Sequence, residues 1–126
     1  MSVHPNKIQN VISLTKEARY DYFLRKIADS MYLWGLFKEG WATSKGSSIL
    51  IPFWPEECFA NICATDEWQG LNAERIDTEK FLNTWIPGRE RDKRECLIFP
   101  TPTDEGLIKS PQTLKLDLIN EIGQYE

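Results

Sequence analysis

The sequence predicts an α+β fold, in which helices pack on a small, mainly antiparallel sheet of about five strands. Two observations support this class. Short runs rich in aromatic and aliphatic residues form one cluster between residues 32 and 53 and another after residue 72, with amphipathic stretches between the clusters and at both ends. Strands and helices do not alternate regularly, which argues against a doubly wound nucleotide-binding fold.

Length and composition predict one domain over residues 1–126, with residues 1–5 frayed. The chain is 41% apolar and 27% charged, as ordinary globular proteins are. Its net charge of -4 argues against nucleic-acid binding. No apolar run approaches the roughly 18 residues that cross a bilayer, and no secretion signal is visible. We therefore expect a cytoplasmic protein with no membrane partner.

The first two helices are predicted from apolar spacing. Ile8, Val11 and Ile12 form a short amphipathic turn, and Thr15 is placed to cap a longer helix. The apolar stripe of that helix contains Tyr20, Phe23, Leu24, Ile27 and Met31. Its predicted outward-facing residues are Lys16, Arg19, Arg25, Lys26 and Asp29.

Three strands are predicted next, as an antiparallel meander. They cover residues 32–37, 41–43 and 48–53. Tight turns at Lys38–Gly40 and Lys45–Ser47 join them. Pro55 then suits the first position of a helix that runs to about Ala64.

The second half of the chain contains shorter elements. Residues 72–77 form a short strand, and Asp77 or Thr78 caps a helix that Pro87–Gly88 interrupts or ends. Residues 96–99 and 106–108 pair as a hairpin around a loop rich in proline and threonine. Ser110–Pro111 begins the last helix, whose predicted inner face contains Leu114, Leu118, Ile122 and Tyr125.

No residue pattern predicts a catalytic, metal or cofactor site, and the sequence favours a protein that is not an enzyme. The single histidine, His4, lies in the frayed terminus. Cys58 and Cys63 are rotated by about 140° from each other on a helix, so they diverge from any shared ion. With Cys96 they make an odd set, which is typical of reduced, partly buried thiols.

The acidic residues and the glycines also show no clear signature of a catalytic or phosphate-binding site. Adjacent acids at Glu56–Glu57, Asp66–Glu67 and Asp104–Glu105 point apart, and Glu56 and Glu57 suit a helix N-terminus, where they disfavour phosphate. Lys45–Ser48 lacks the glycine spacing of a phosphate loop. The charged run Gly88–Glu95 has a net charge of only about +1 and is typical of a solvated face.

The five tryptophans are the least ordinary feature of the sequence. A domain of this size buries few indoles completely, so we expect some to be part-exposed. Our leading hypothesis is a non-enzymatic interaction or accessory domain that contacts another protein, or a second copy of itself, through an aromatic surface. That predicted surface consists of Trp34, Trp41, Phe53 and Trp54.

Two alternatives remain open at this stage. The tryptophans can simply fill the interface between sheet and helices. Alternatively, the chain is a small-molecule-binding domain or minor enzyme, with an aromatic pocket rimmed by carboxylates such as Asp66, Glu67 or Asp104.

The order of several landmarks resembles a known family. These landmarks are Arg19–Phe23, Trp34–Leu36, Gly40–Ala42, Pro52–Pro55, Cys63–Ala64 with Trp68, Phe81–Leu82 with Trp85–Gly88, and Phe99–Pro102. Over roughly residues 8–120 the chain is similar to the bacterial family called domain of unknown function 2750. The resemblance implies no activity, substrate or cofactor. More distantly, the order of elements resembles small domains of secretion-associated and immunity-type bacterial proteins, which implies a protein-binding role.

Overall fold

Local capping signals begin the helices of the computed structural model, which describes residues 5–45 and 49–124. Thr15 accepts a hydrogen bond from the Ala18 N–H at 3.1 Å, and Ser110 accepts one from the Thr113 N–H at 3.2 Å. Both caps were predicted, and both are confirmed. The terminal and short helices are α1 (Pro5–Ile12), α2 (Lys16–Ser30), α3 (Glu57–Ile62), a 3-10 turn (Asp66–Trp68) and α6 (Pro111–Gly123).

The middle helix was predicted to be interrupted or ended at Pro87–Gly88; it continues through both residues, and its irregular turn lies just before the proline. It comprises α4 (Thr78–Lys80), a π-helical turn (Phe81–Trp85) and α5 (Ile86–Arg91). In the π turn the Ile86 N–H donates to the Phe81 carbonyl, five residues back. This wider turn shifts the hydrogen-bond ladder just before the proline, which has no N–H to donate. The predicted cap is confirmed, since Asp77 accepts from the N–H groups of Glu79 and Lys80.

The described strands form two sheets, and the α+β class is confirmed. Their bounds are β1 (Tyr32–Phe37), β2 (Ser44–Lys45), β3 (Ile49–Phe53), β4 (Asn72–Asp77), β5 (Glu95–Ile98) and β6 (Leu107–Lys109). β1 pairs with β4, and the other sheet has the order β2-β3-β5-β6. Among the described strands, only β3 and β5 pair in parallel. Two hydrogen bonds between Trp34 and Trp54 join the sheets.

The predicted meander is wrong in its middle strand. Residues 41–43 contribute a single bridge between Phe37 and Trp41, and the short strand lies at Ser44–Lys45 instead. β1 pairs along its whole length with the distant β4, from Tyr32 opposite Asp77 to Phe37 opposite Asn72. The predicted turn at Lys45–Ser47 falls largely outside the described residues.

Most other bounds agree with the sequence within one or two residues. The predicted strand at 72–77 is present as β4, and the hairpin arm predicted at 106–108 is present one residue later as β6. Pro5 was expected to fray but is the first residue of α1, while residues 1–4 lie outside the described part of the chain. Tyr125, predicted on the inner face of the last helix, also lies outside it.

The core lies between the helices and one face of the larger sheet. Its members on that face are Ile51, Phe53, Cys96 and Ile98. Leu114 and Leu118 of α6 and the apolar stripe of α2 pack over them. Arg19 was predicted to face outward, but its exposed fraction is 1%. Within residues 5–45 and 49–124, no helix is long and apolar enough to cross a membrane.

Candidate functional site

The loop between β5 and β6 has an unusual backbone. Phe99 has a φ of 53°, in the left-handed region that residues with a side chain seldom adopt, and Gly106 has a φ of 85°. Between them, Thr101 and Asp104 exchange backbone hydrogen bonds of 2.8 and 3.3 Å and close a tight turn. Strained conformations persist only where the surroundings enforce them, and they cluster at functional sites. We call residues 99–106 the β5–β6 loop.

Arg19 of α2 holds this loop from beneath. Its Nε donates to the Phe99 carbonyl at 3.2 Å, and its Nη1 donates to the Leu14 carbonyl at 2.8 Å. Its Nη2 lies 3.1 Å from Oδ2 of Asp104. A guanidinium presents its donors in a rigid planar fork, so one buried side chain holds two points of the chain by hydrogen bonds and a third, Asp104, by an ion pair.

Asp104 forms the outer end of this arrangement. Its Oδ1 accepts from the Gly106 N–H at 3.3 Å and lies 3.5 Å from Nζ of Lys16. Burial alone would raise the pKa of the Asp104 carboxyl. The Gly106 N–H and the Arg19 guanidinium outweigh burial, so the pKa lies below its ordinary value. Asp104 is therefore a charged anchor at neutral pH.

The anchored loop forms one wall of a groove of about 540 Å³. The floor lies on the outer face of the larger sheet and consists of Leu50 of β3 and Leu97 of β5, which are only 6% and 5% exposed, and of Ile108 of β6, which is 53% exposed. Pro100 to Gly106 line one side, and Glu67 and Trp68 line another. This volume falls in the range of small-molecule and peptide pockets.

A layer of aromatic and thiol groups supports the loop from inside. Nε1 of Trp54 donates to the Pro100 carbonyl at 2.9 Å, and Sγ of Cys63 lies 3.3 Å from the same oxygen. The Trp68 ring packs edge-to-face on Trp54, with centroids 5.9 Å apart, and Nε1 of Trp68 donates to the Thr43 carbonyl at 3.0 Å. Both ends of the Trp68 ring are therefore fixed where it lines the groove.

The four residues of the predicted aromatic surface do not form one exposed patch. Phe53 and Trp54 have no exposed surface, so the expectation that they are part-exposed is wrong. Phe53 packs between Phe81 and Trp85 in the core. Trp34 and Trp41 are half-buried. The neighbouring sequence does not tell which tryptophans are buried, because burial depends on distant partners, such as the Pro100 carbonyl that Trp54 binds.

The alternative prediction, of a pocket rimmed by carboxylates, agrees better with the geometry. Glu67 and Asp104 both line the groove, together with Glu105. Asp66 instead borders a shallow neighbouring depression of about 110 Å³, which also touches Cys63 and Trp68. Sequence reasoning treated Trp68 as a family landmark and missed its place in the groove. It also missed Arg19, whose helical position alone looks like part of the polar face.

Among the described residues, the other candidate side chains do not come together as a catalytic or metal-binding site. Cys58, Cys63 and Cys96 form no disulfide, and His4 lies outside the described residues. Among residues 5–45 and 49–124, no group of three histidine, cysteine or acidic side chains is placed to hold a metal ion. Glu56 accepts hydrogen bonds from Tyr22 and Lys7, which join α1 and α2 to the start of α3.

Because the Cys63 thiol is buried, we expect the protein to lose stability at alkaline pH. Burial raises its pKa to about 11, so the thiol stays protonated in the folded protein while the unfolded chain ionises nearer pH 9. When folding raises the pKa of a group, that group favours the folded state at pH values below its unfolded-state pKa. This contribution to stability is lost as the pH rises towards the folded-state pKa. We expect this group to lower the free energy of unfolding by about 1 kcal/mol per pH unit between pH 9 and 10.5.

Urea unfolding of wild type and of Cys63→Ser checks this expectation. Serine keeps a donor for the Pro100 carbonyl but does not ionise in this range, so its pH slope should be shallower. Cys58→Ser is the comparison, because Cys58 is only partly buried; its pKa is also raised by burial, so its replacement should flatten the slope less than that of Cys63. Equal slopes for wild type and Cys63→Ser would show that Cys63 is not a buried, protonated thiol.

A comparison with models of known families gives a match. The model described as "Protein of unknown function (DUF2750)" matches residues 20–118, which include α2 from Tyr20 onward, both sheets, the β5–β6 loop and the buried residues Leu114 and Leu118 of α6, whereas Arg19 lies just before the matched range. No curated protein and no solved structure matches the chain.

Proposed function

Because the chain belongs to the DUF2750 family, whose description names no activity, we propose from its geometry that it is a non-enzymatic binding domain. Its ligand lies in the groove between the β5–β6 loop and the outer face of the larger sheet. The observation that carries the proposal is the buried Arg19 fork, which holds a strained loop in place as the wall of that groove.

The free-energy cost of burying Arg19 and of the strained loop backbone supports a binding role. A buried guanidinium and a positive φ at Phe99 both oppose folding unless their partners compensate for them. A plain hairpin connection between β5 and β6 would require neither. The loop they hold borders a space that also contains an apolar floor, an indole and carboxylates, the usual composition of a ligand site.

The groups nearest the groove favour binding over catalysis. Asp104 is occupied by Arg19, Lys16 and the Gly106 N–H, so it is an anchor and not a free acid or base. The Cys63 thiol lies behind the loop, and its raised pKa keeps it protonated and weakly nucleophilic. Binding without covalent chemistry therefore accounts for the groove in the simplest way.

A fragment screen tests where the chain binds ligands. We expect fragments that bind to shift the backbone amide signals of Thr101 and of residues 103–106, and the indole N–H signal of Trp68, in ¹H–¹⁵N spectra. Ile108→Arg should weaken that binding at least about tenfold, because Ile108 forms part of the floor and is 53% exposed. The larger side chain fills the groove from the sheet edge.

Leu116→Arg provides a matched control, since Leu116 is an equally exposed aliphatic residue, at 56%, on α6. It should leave fragment binding unchanged. Fragments that bind equally well to wild type and to Ile108→Arg would place the binding site elsewhere and contradict the proposal.

A further inference from the structure

We infer that the groove accepts a short, extended and positively charged segment of another protein. This inference rests on the proposed function and names the partner of the same site. It follows from three features of the groove: its length across the sheet, its unpaired carboxylates and the position of the Trp68 ring.

The groove spans the full width of the larger sheet. Its lining includes Ser44 of β2, Leu50 of β3, Leu97 of β5 and Ile108 of β6. Neighbouring strands lie ~4.8 Å apart, so the three intervals cover about 14 Å. An extended chain advances about 3.3 Å per residue, and about four residues therefore match this length.

Charge complementarity identifies the kind of segment. Asp104 is neutralised by Arg19 and Lys16, but Glu67 and Glu105 are exposed and have no ion pair among the described residues. Two carboxylates therefore remain available at the rim of an apolar floor. A segment that alternates apolar and basic side chains can place the apolar ones on the floor and the basic ones at the rim, because successive side chains of a strand point to opposite sides.

Trp68 adds a surface suited to the same chemistry. Its ring lines the groove beside Glu67, and the Trp54 contact and the Thr43 hydrogen bond hold it in place. A lysine or arginine side chain can lie along an indole face while its cationic head reaches a carboxylate. The fixed ring offers this contact without loss of side-chain freedom.

Calorimetry with synthetic peptides tests the inference on the full chain. The probe is a capped pentapeptide that alternates leucine with lysine or arginine, and its twin carries glutamate in place of each basic residue. The basic peptide should bind, and Glu67→Gln with Glu105→Gln should weaken it about fivefold to thirtyfold. The double change Glu74→Gln with Glu79→Gln removes the same charge from exposed sites outside the groove and should have no effect.

The outcomes separate this inference from the proposed function. Equal binding of the glutamate twin, or no loss in the Glu67–Glu105 variant, would overturn the assignment of a basic segment. If n-hexylamine binds as tightly as the peptide, the ligand is a small amine and not an extended segment. Fragments that bind in the groove when the peptide does not would overturn the inference alone, whereas fragments that bind elsewhere would overturn the proposed function as well.

Discussion

Arg19→Met should lower the free energy of unfolding by about 2–5 kcal/mol, the largest effect that we expect from any single charged side chain described here. Methionine fills much of the space but donates no hydrogen bond. The carbonyls of Phe99 and Leu14 then lose the donors that Arg19 supplies, and Asp104 loses its buried partner. A buried polar group left without its partner costs about 1–3 kcal/mol.

Urea unfolding measures this loss, and Arg25→Met is the matched control on the same helix. Arg25 is exposed, so its replacement should change stability by no more than about 0.5 kcal/mol. The Arg19 variant should also show faster amide exchange at Thr101 and at residues 103–106, because the loop loses its anchor. Equal stability of the Arg19 and Arg25 variants would mean that the fork does not hold the loop.

Gly106→Ala should destabilise the protein by about 2–4 kcal/mol, through two separate causes. Gly106 has a φ of 85°, which costs alanine about 1 kcal/mol. An added Cβ would also lie 2.4 Å from the Ile98 carbonyl oxygen, which belongs to the rigid backbone of β5. The loop would have to move away from the sheet, and the groove wall would move with it.

Alanine substitutions at two other glycines distinguish the backbone cost from the steric cost. Gly70 has a φ of 88° but nothing within 4 Å of an added Cβ, so Gly70→Ala isolates the backbone cost. Gly40 has open space around an added Cβ, and Gly40→Ala should be close to neutral. We expect unfolding free energies to fall in the order Gly40→Ala, Gly70→Ala, Gly106→Ala. If Gly106→Ala costs no more than Gly70→Ala, the loop is not packed tightly against β5.

Local signals in the sequence predicted the helices better than the sheets. The caps at Thr15, Asp77 and Ser110 depend on hydrogen bonds to residues within three positions, so the sequence alone identifies them. The pairing of β1 with β4 joins residues about 40 positions apart, and nothing in the sequence of either strand names the other. The π turn before Pro87 also depends on how Phe81 and Trp85 pack on Phe53.

The candidate site was predicted in part, through its carboxylates. Glu67 and Asp104 were named as rim residues because acidic side chains near aromatic ones are typical of binding pockets. Arg19 could not be recognised, because its burial requires the β5–β6 loop, 80 positions away, to fold over α2. The exposure assigned to Phe53 and Trp54 failed for the same reason, since distant elements cover both rings.

A spin-labelled ligand tests the central claim, that the groove beside the Arg19-anchored loop is the binding site. The tightest-binding fragment, carrying a nitroxide, should broaden the signals of the Trp68 indole, of residues 101–106 and of Ile108 before any others. Leu116 and Ile119 are also exposed apolar residues, but they lie on α6. Broadening centred on α6, with the signals of the β5–β6 loop unchanged, would contradict the account.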